Sequence, residues 1–383
     1  MIIDPAVARS GLFVGRVWRA DIGGPSVVRL EGNRLIDITS RDVPTMSALI
    51  ERGDAAGFAA SAKGEDIGSL EEVAANGRDI SAGGHHLLAP SDLQAVKACG
   101  VTFARSMIER VIEEKAAGDA SRADAIRQRV AAVIGDSLRN LIPGSPEAAE
   151  VKRALIAEGV WSQYLEVGIG PDAEVFTKGQ PMSAVGWGAD VGLHPASTWN
   201  NPEPEIVLAV DSGGTVKGAM LGNDVNLRDV EGRSALLLGK AKDNNASCAI
   251  GPFIRLFDDS YGIEDVRRAE LALRVEGEDG FVLDGSSSMS EISRDPLDLV
   301  SQTIGRHHQY PDGFVLFLGT LFAPVKDRDE PGQGFTHKRG DVVTISNPKL
   351  GALRNTVRLS TECPPWTYGT GALMRNLAVR GLI

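Results

Sequence analysis

The pattern of apolar and polar positions divides the chain into three stretches. Residues 11–39 contain three short runs of apolar and β-branched side chains with a turn at Gly32-Asn33, which is typical of strands. Residues 106–158 repeat apolar side chains at helical spacing, and breaks at Gly118-Asp119 and Pro143-Gly144 indicate two or three helices. After Val160 the strand pattern returns, with Gly-rich turns and Pro-bounded loops. The chain is therefore predicted to be an α+β protein with a rolled, mixed β-sheet core rather than a doubly wound sheet.

A change of composition near residue 90 predicts a domain boundary. Two short helices, Thr45–Arg52 and Ser69–Ala75, are expected after the first strands, and a linker containing Gly83-Gly84-His85-His86 follows them. We expect residues 1–90 to form a small α+β N-terminal domain. Residues 91–383 form the main domain in this prediction, with 106–158 as a helical insertion.

Composition excludes several classes of partner and cofactor. The 383 residues carry a net charge of −11, which argues against nucleic acid as a partner, since phosphate binding needs clustered Lys and Arg. The chain has no Gly-x-Gly-x-x-Gly or Walker motif for a nucleotide and no apolar run long enough for a membrane. Three widely spaced cysteines and an N-terminus without a signal pattern favour a reducing, cytoplasmic location.

An acidic pair precedes the strand pattern of Ile206–Val210. In an extended chain Glu203 and Glu205 point to the same side, and a turn at Asp211–Gly214 with a returning strand would bring Asp224 beside them. Three carboxylates without His or Cys suit a hard cation, Mg²⁺ first and Mn²⁺ or Ca²⁺ next. Spacing alone leaves an alternative open, in which the two glutamates are the solvated face of an edge strand.

Several motifs in a fixed order resemble the fumarylacetoacetate hydrolase superfamily over about residues 95 to 360. Within that superfamily the chain is most similar to the sugar-acid branch, the 2-keto-3-deoxy-pentonate dehydratases. The motifs are Pro202-Glu203-Pro204-Glu205, Gly222-Asn223-Asp224-Val225, Arg228-Asp229, Lys242, Cys248-Ala249-Ile250-Gly251-Pro252, Phe317-Leu318-Gly319-Thr320, Arg339–Val343 and Gly351–Val357.

The resemblance implies a fumarylacetoacetase C-terminal-like catalytic domain with Mg²⁺ on Glu203, Glu205 and Asp224. It further implies a lyase that converts a 2-keto-3-deoxy-pentonate of the D-xylonate or D-arabinonate type to 2,5-dioxopentanoate, in non-phosphorylative pentose catabolism. The substrate is a small 2-keto acid, and a homodimer or homotetramer is expected.

The resemblance also assigns roles to further residues. Glu174 is the candidate general base and Lys242 faces the developing oxyanion, while Gly319 and Thr320 bind the substrate carboxylate. Lys178 either lowers the charge cost of the acidic cavity or is a buried structural cation. Arg228 and Asp229 are expected to form an ion pair that supports the metal loop.

The chain departs from the hydrolases of this superfamily at one motif. Those hydrolases carry Gly-x-Asn-Tyr-x-x-His, and its histidine activates water. The corresponding segment here begins at Gly100 and has Phe103 in place of the tyrosine and Ser106 in place of the histidine. A serine is not basic enough to activate water unaided, so hydrolysis is in doubt and lyase chemistry is favoured. Arg105 and Ser106 are then candidate contacts for the substrate carboxylate or hydroxyls.

Two rival functions and one open question remain from the sequence. The chain could be a C–C bond hydrolase or decarboxylase acting on an acylpyruvate or 2,4-diketo acid, or a catalytically silent relative that binds a keto acid. The helical segment 106–158 could close over the site as a lid, since both its ends belong to the site, or form a subunit interface.

Overall fold

The computed structural model describes residues 1–77, 83–134, 141–159, 161–322, 324, 326–329, 331–332 and 334–383, without the side chains of residues 105 and 129–134. The strands are β1 (Phe13–Arg19), β2 (Gly24–Glu31), β3 (Arg34–Asp37), β4 (Glu65–Ser69), β5 (His86–Leu88), β6 (Ala95–Gly100), β7 (Glu174–Gly179), β8 (Asp190–Leu193), β9 (Asn200–Asn201), β10 (Pro204–Val210), β11 (Val216–Asp224), β12 (Asn226–Leu227), β13 (Cys248–Leu256), β14 (Glu270–Glu276), β15 (Val282–Ser288), β16 (Phe314–Phe317), β17 (Val342–Asn347) and β18 (Gly351–Leu359).

The helices lie mainly at the start of the chain and between β6 and β7. They are α1 (Pro5–Ser10), α2 (Met46–Ile50), α3 (Ala55–Ser61), α4 (Leu70–Asn76), α5 (Ala104–Ala116), α6 (Ala123–Ile134), α7 (Pro146–Ala157), α8 (Gln163–Ile169), α9 (Arg228–Glu231), α10 (Leu238–Lys242), α11 (Ile263–Arg267), α12 (Pro296–Thr303) and α13 (Thr370–Val379). None of the helices in the described ranges combines the length and hydrophobicity needed to span a bilayer.

A large mixed sheet organises the fold. Among the described residues it has eleven strands, in the order β4-β3-β2-β1-β13-β11-β10-β16-β6-β7, with β5 beside β1. It is mixed because β16 pairs with β6 in parallel while the other pairs are antiparallel. A second sheet, β15-β14-β17-β18-β8, packs on one face through side chains such as Leu273 and Leu353, and α2 and α3 cover the other face. The predicted α+β class with a mixed sheet core is confirmed.

The central strand β10 explains why residues 206–210 are uniformly apolar. Ile206 and Leu208 belong to the core between the two sheets, whereas Val207 and Ala209 face α2 and α3. A strand buried on both faces is apolar without interruption. The expected turn and returning strand follow, with the Asp211 carboxylate accepting bonds from the amides of Gly213 and Thr215.

The sheet is continuous across the predicted domain boundary. Strand β1 pairs antiparallel with β13, with Val14 opposite Ile254. The predicted helices near residues 45 and 69 are confirmed as α2 and α4, each capped by the side chain of its preceding Thr45 or Ser69. The division into domains at residue 90 stays a prediction about folding units.

The segment 106–158 contains α5, α6 and α7, as the pattern predicted. Helix α5 ends where Ala117 and Gly118 adopt left-handed conformations, with φ of 54° and 76°. Its apolar side, including Met107 and Val111, packs into a separate core with α8. The opposite side of α5 carries charged residues toward the candidate site.

Candidate active site

Three buried carboxylates meet where β10 begins and β11 ends. Glu203, Glu205 and Asp224 each offer an oxygen, and these oxygens all lie within 4.8 Å of one another. The strands hold this arrangement, since the Asp224 amide donates to the Glu203 carbonyl at 3.1 Å. The alternative of a solvated edge strand is wrong, because β11 and β16 flank β10 and the three residues are at most 6% exposed.

Two lysines neutralise part of this charge. The Lys242 ammonium, at the end of α10, donates to Glu203 at 3.3 Å and to Asp224 at 3.2 Å. The Lys178 ammonium lies 2.8 Å from the other oxygen of Asp224 and also donates to the carbonyls of Val225 and Lys242. Lys178 thus satisfies both descriptions offered from the sequence: it offsets the charge of the acidic cavity and is a buried cation that braces the loop after β11.

Glu205 has no cation within ion-pair distance among the described residues, and its partner is a backbone amide. The Gly319 N–H donates to its carboxylate at 2.7 Å. Burial, together with Asp224 and Glu203, raises the pKa of Glu205 well above its ordinary value. The amide expected to bind a substrate carboxylate is therefore used by Glu205. The neighbouring Thr320 lines the cavity, and its hydroxyl accepts from the Phe322 amide.

The charge cluster of the site has more carboxylates than cations. Its carboxylates are those of Glu113, Glu174, Glu203, Glu205, Asp224 and Glu231, and its cations are Arg110, Lys178, Arg228 and Lys242. Glu109, which contacts Arg228 at 3.3 Å, adds a further carboxylate beside the cluster. Buried oxygen donors that outnumber the neighbouring cations fit a divalent cation such as Mg²⁺, Mn²⁺ or Ca²⁺.

Glu174 lines the same cavity from the first position of β7. It lies opposite Gly100 in the β6–β7 pair. Burial and the Glu231 carboxylate raise the pKa of Glu174 to about 7, although Arg110 and Lys242 act in the opposite direction. A carboxyl group with this pKa can both take up and release a proton near neutral pH.

Ser106 also lines the cavity, but its hydroxyl serves the helix. It donates to the Phe103 carbonyl at 2.9 Å and accepts from the Phe103 amide at 3.3 Å, at the start of α5. No histidine is among the described residues that line this cavity. Arg105 belongs to the first turn of α5, and its side chain lies outside the described part of the chain.

Comparison with known proteins identifies the family. Residues 170–358 match the family model described as fumarylacetoacetate (FAA) hydrolase, C-terminal. Residues 170–358, about half of the chain, are thereby placed in the fumarylacetoacetate hydrolase superfamily. The resemblance inferred from the motifs is thereby confirmed.

Two relatives within this superfamily are named as sugar-acid dehydratases. A probable 2-keto-3-deoxyxylonate dehydratase of Haloferax volcanii is 32% identical over 194 residues, which are 51% of this chain and 63% of that protein. A 2-dehydro-3-deoxy-D-arabinonate dehydratase of Saccharolobus solfataricus is 29% identical over 185 residues, 48% of this chain and 58% of that protein. Each match spans less than two thirds of the relative's length.

Solved structures share the fold over most of the chain. A 2-keto-3-deoxy-D-arabinonate dehydratase complexed with magnesium and 2,5-dioxopentanoate has a TM-score of 0.62 at 21% identity, covering 91% of this chain and 99% of that one. The protein Cg1458 has a TM-score of 0.54 at 15% identity, with the same coverage. Both likenesses concern the fold.

One expectation about the superfamily's metal loop is wrong. Arg228 and Asp229 do not pair with each other, because consecutive residues of helix α9 point in different directions. Arg228 instead pairs with Glu113 at 2.7 Å and Glu109 at 3.3 Å, both on α5. The Asp229 carboxylate accepts from the Ser197 hydroxyl and the Thr198 amide.

Sequence reasoning missed two charged residues of the site, Arg110 and Glu231. Arg110 lies one helical turn after Ser106, outside the matched segment 170–358, and Glu231 lies one turn after Arg228. Helical spacing from residues already singled out could have found both. Their partners could not be found in this way, because they come from different elements.

Proposed function

We propose that this protein is a Mg²⁺-dependent dehydratase that converts a 2-keto-3-deoxy-pentonate, of the D-xylonate or D-arabinonate type, to 2,5-dioxopentanoate. The observation that carries this proposal is the Glu174 carboxyl, with its pKa near 7, in one cavity with the acidic triad. The names of the two sugar-acid relatives support the choice of substrate class.

Glu203, Glu205 and Asp224 would hold Mg²⁺, with Mn²⁺ or Ca²⁺ as possible substitutes. When bound, the ion withdraws electrons from a 2-keto acid and so acidifies the hydrogen on C3. The divalent charge would also relieve the repulsion that raises the pKa of Glu205.

Glu174 is the general base of the proposed reaction. It takes a proton from C3 while the C4–O bond breaks, and the C4 hydroxyl leaves as water with the proton that Glu174 received. The resulting C3–C4 double bond moves to C4–C5 when a proton is lost from C5 and one is added at C3, which gives an enol. The enol hydroxyl then loses its proton and C4 gains one, which yields the C5 aldehyde. One water is released, and no oxidant or reductant is needed.

The remaining charged and polar residues orient the substrate in this proposal. The Lys242 ammonium stabilises negative charge that develops on the C2 oxygen. Thr320, with Arg105 and Ser106 at the start of α5, contacts the substrate carboxylate and hydroxyls, while the Gly319 amide holds Glu205 in place. Ser106 cannot replace the hydrolases' histidine, because a hydroxyl bonded to the Phe103 carbonyl is not a base for water.

The proposal extends to partners and location. We expect the protein to act on a small 2-keto acid, without nucleic acid or membrane, as a cytoplasmic homodimer or homotetramer. Mass photometry over a range of protein concentrations measures the assembly.

An NMR assay tests the function. The full chain with Mg²⁺ is incubated with 2-keto-3-deoxy-D-xylonate, its D-arabinonate counterpart and the L-isomers, and the aldehyde proton of 2,5-dioxopentanoate is followed. We expect this signal from at least one isomer. The signal should be absent in EDTA and absent with the Glu174→Gln variant. Release of pyruvate from an acylpyruvate without any aldehyde would support the C–C hydrolase instead, and binding without turnover of either class would support a silent relative.

A further inference from the structure

Arg110 occupies a central position in the charge cluster. Its side chain, 12% exposed, projects from α5 and meets carboxylates from three segments. The distances are 2.8 Å to Glu203 immediately before β10, 2.7 Å to Glu113 on α5 and 2.8 Å to Glu231 on α9. A planar guanidinium with five donors is suited to bridging several carboxylates.

The contact with Glu203 places Arg110 in competition with a divalent cation. One oxygen of Glu203 accepts from Arg110 and the other from Lys242. A cation bound by the triad would have to share Glu203 with both positive side chains. In a buried site, a like charge this close weakens binding of the cation considerably.

The same charge favours an anionic substrate. Carboxylates outnumber cations in the cluster, so a divalent cation reduces the excess of negative charge and favours the entry of a singly charged 2-keto acid. Without Arg110 the loaded cluster would lose one positive charge and repel the acid more strongly. The two effects therefore have opposite signs: loss of Arg110 strengthens cation binding and weakens acid binding.

We propose that Arg110 is a positioning residue that acts through Glu203 and Glu231. It weakens cation binding at the triad and strengthens binding of an anionic 2-keto acid. This inference rests on the proposed function for the nature of the substrate. A residue that only braced α5 would act differently, since its loss would weaken both binding steps together.

Binding measurements on the full chain test this without turnover. Mn²⁺ affinity is measured by EPR of the free ion, and the affinity of pyruvate, a 2-keto acid without a C4 hydroxyl, is measured by calorimetry on the Mn²⁺-loaded protein. For Arg110→Met we expect Mn²⁺ to bind at least about tenfold more tightly and pyruvate at least about tenfold more weakly. Arg110→Gln should shift each constant in the same direction as Arg110→Met does. It replaces Arg110→Met in the test if the methionine variant does not fold.

Two further variants separate this effect from a general loss of ion pairs. Arg110→Lys restores the charge and should return both constants to within about threefold of the wild type. Arg127→Met is the matched control, because Arg127 pairs with Glu109 and Asp124 and touches none of the triad carboxylates. It should leave both constants unchanged.

The outcomes distinguish this inference from the proposed function. If Arg110→Met and Arg110→Gln weaken both ligands, or leave Mn²⁺ affinity unchanged, the inference is overturned. If the wild type binds no Mn²⁺, the inference is overturned together with the metal site. If the wild type binds Mn²⁺ and pyruvate but dehydrates no pentonate, the proposed function fails, and opposite shifts in the variants still support the role of Arg110.

Discussion

The carboxylate of Glu174 lies in the space that a side chain at residue 100 would fill. The two residues are paired across β6 and β7, and a Cβ added to Gly100 would lie 2.0 Å from the Glu174 carboxylate oxygen. Gly100 thus allows the candidate base to reach the cavity. Because residue 100 has no side chain, the Glu174 carboxyl group can lie in the cavity.

Gly100→Ala should therefore impair activity more than stability. The methyl group forces the flexible Glu174 side chain to rotate, which moves the carboxylate from the substrate, and we expect a loss of about 10²-fold or more in kcat. The dehydration rate and the thermal midpoint are measured side by side. Gly57→Ala in α3 is the control, because a Cβ there meets nothing within 4 Å. A Gly100→Ala protein with full activity would show that Glu174 does not act from this position.

Substitution of the triad should abolish activity but affect stability unequally. Asp224→Asn leaves the buried ammonium groups of Lys178 and Lys242 without their shared carboxylate, and breaking buried pairs of this kind costs about 3–5 kcal/mol. Glu205→Gln removes a charge that burial already disfavours and keeps an acceptor for the Gly319 amide, so its stability should match the wild type in EDTA. Urea unfolding in EDTA measures both variants.

Removing the metal and adding it back tests the same site through activity. We expect EDTA to abolish wild-type turnover, and Mg²⁺ or Mn²⁺ to restore it. Full activity after exhaustive chelation would contradict the metal site, as would full activity of Glu205→Gln.

Proton exchange at C3 should depend on pH through Glu174. Burial raises its pKa, and a base must be deprotonated to act, so the exchange rate should rise with pH and level off once Glu174 has lost its proton. Because a bound divalent cation favours the carboxylate, the midpoint should lie at or below pH 7. The measurement is deuterium incorporation at C3 of 2-ketobutyrate by NMR. Glu174→Gln should reduce exchange by about 10²–10⁴-fold at all pH values. Exchange at the wild-type rate in this variant would place the base elsewhere.

The contribution of Glu174 to the stability of the EDTA-treated protein should fall as pH rises, whereas the exchange rate rises. Because the folded pKa of Glu174 is raised from 4.5 to about 7, the folded state holds its proton more tightly than the unfolded state does. This contribution is fully present below pH 4.5 and is lost as pH rises through 7. Glu174→Gln should therefore raise the thermal midpoint relative to the wild type at pH 8 but not at pH 4.5, as differential scanning calorimetry would measure.

Hydrogen exchange should decide between a lid and an interface for the helical segment. Helix α5 contacts the site through the ion pairs of Arg110 with Glu203 and of Arg228 with Glu113. For a lid, amides of residues 104–116 should gain protection when Mn²⁺ and pyruvate are added. Protection that changes with protein concentration alone would instead support a subunit interface.

Local pattern and motif order by themselves determined much of this protein. The period of two along an extended chain puts Glu203 and Glu205 on one side, and the turn at Asp211 returns the chain so that Asp224 joins them. Apolar spacing and the breaks at Gly118 and Pro143 predicted the helices of the insertion. These features follow from interactions between residues close in sequence, or from motifs shared across the superfamily.

Only the tertiary structure decided which charges meet. Arg110 reaches Glu203 and Glu231 from a helix distant in sequence, and Arg228 pairs with α5 rather than with its neighbour Asp229. Strand β1 likewise joins β13 across the predicted boundary. Periodicity shows which face of an element is apolar, but it carries no information about which other element packs there. Burial favours the pairing of opposite charges, so the long-range packing selects the ion pairs that form the site.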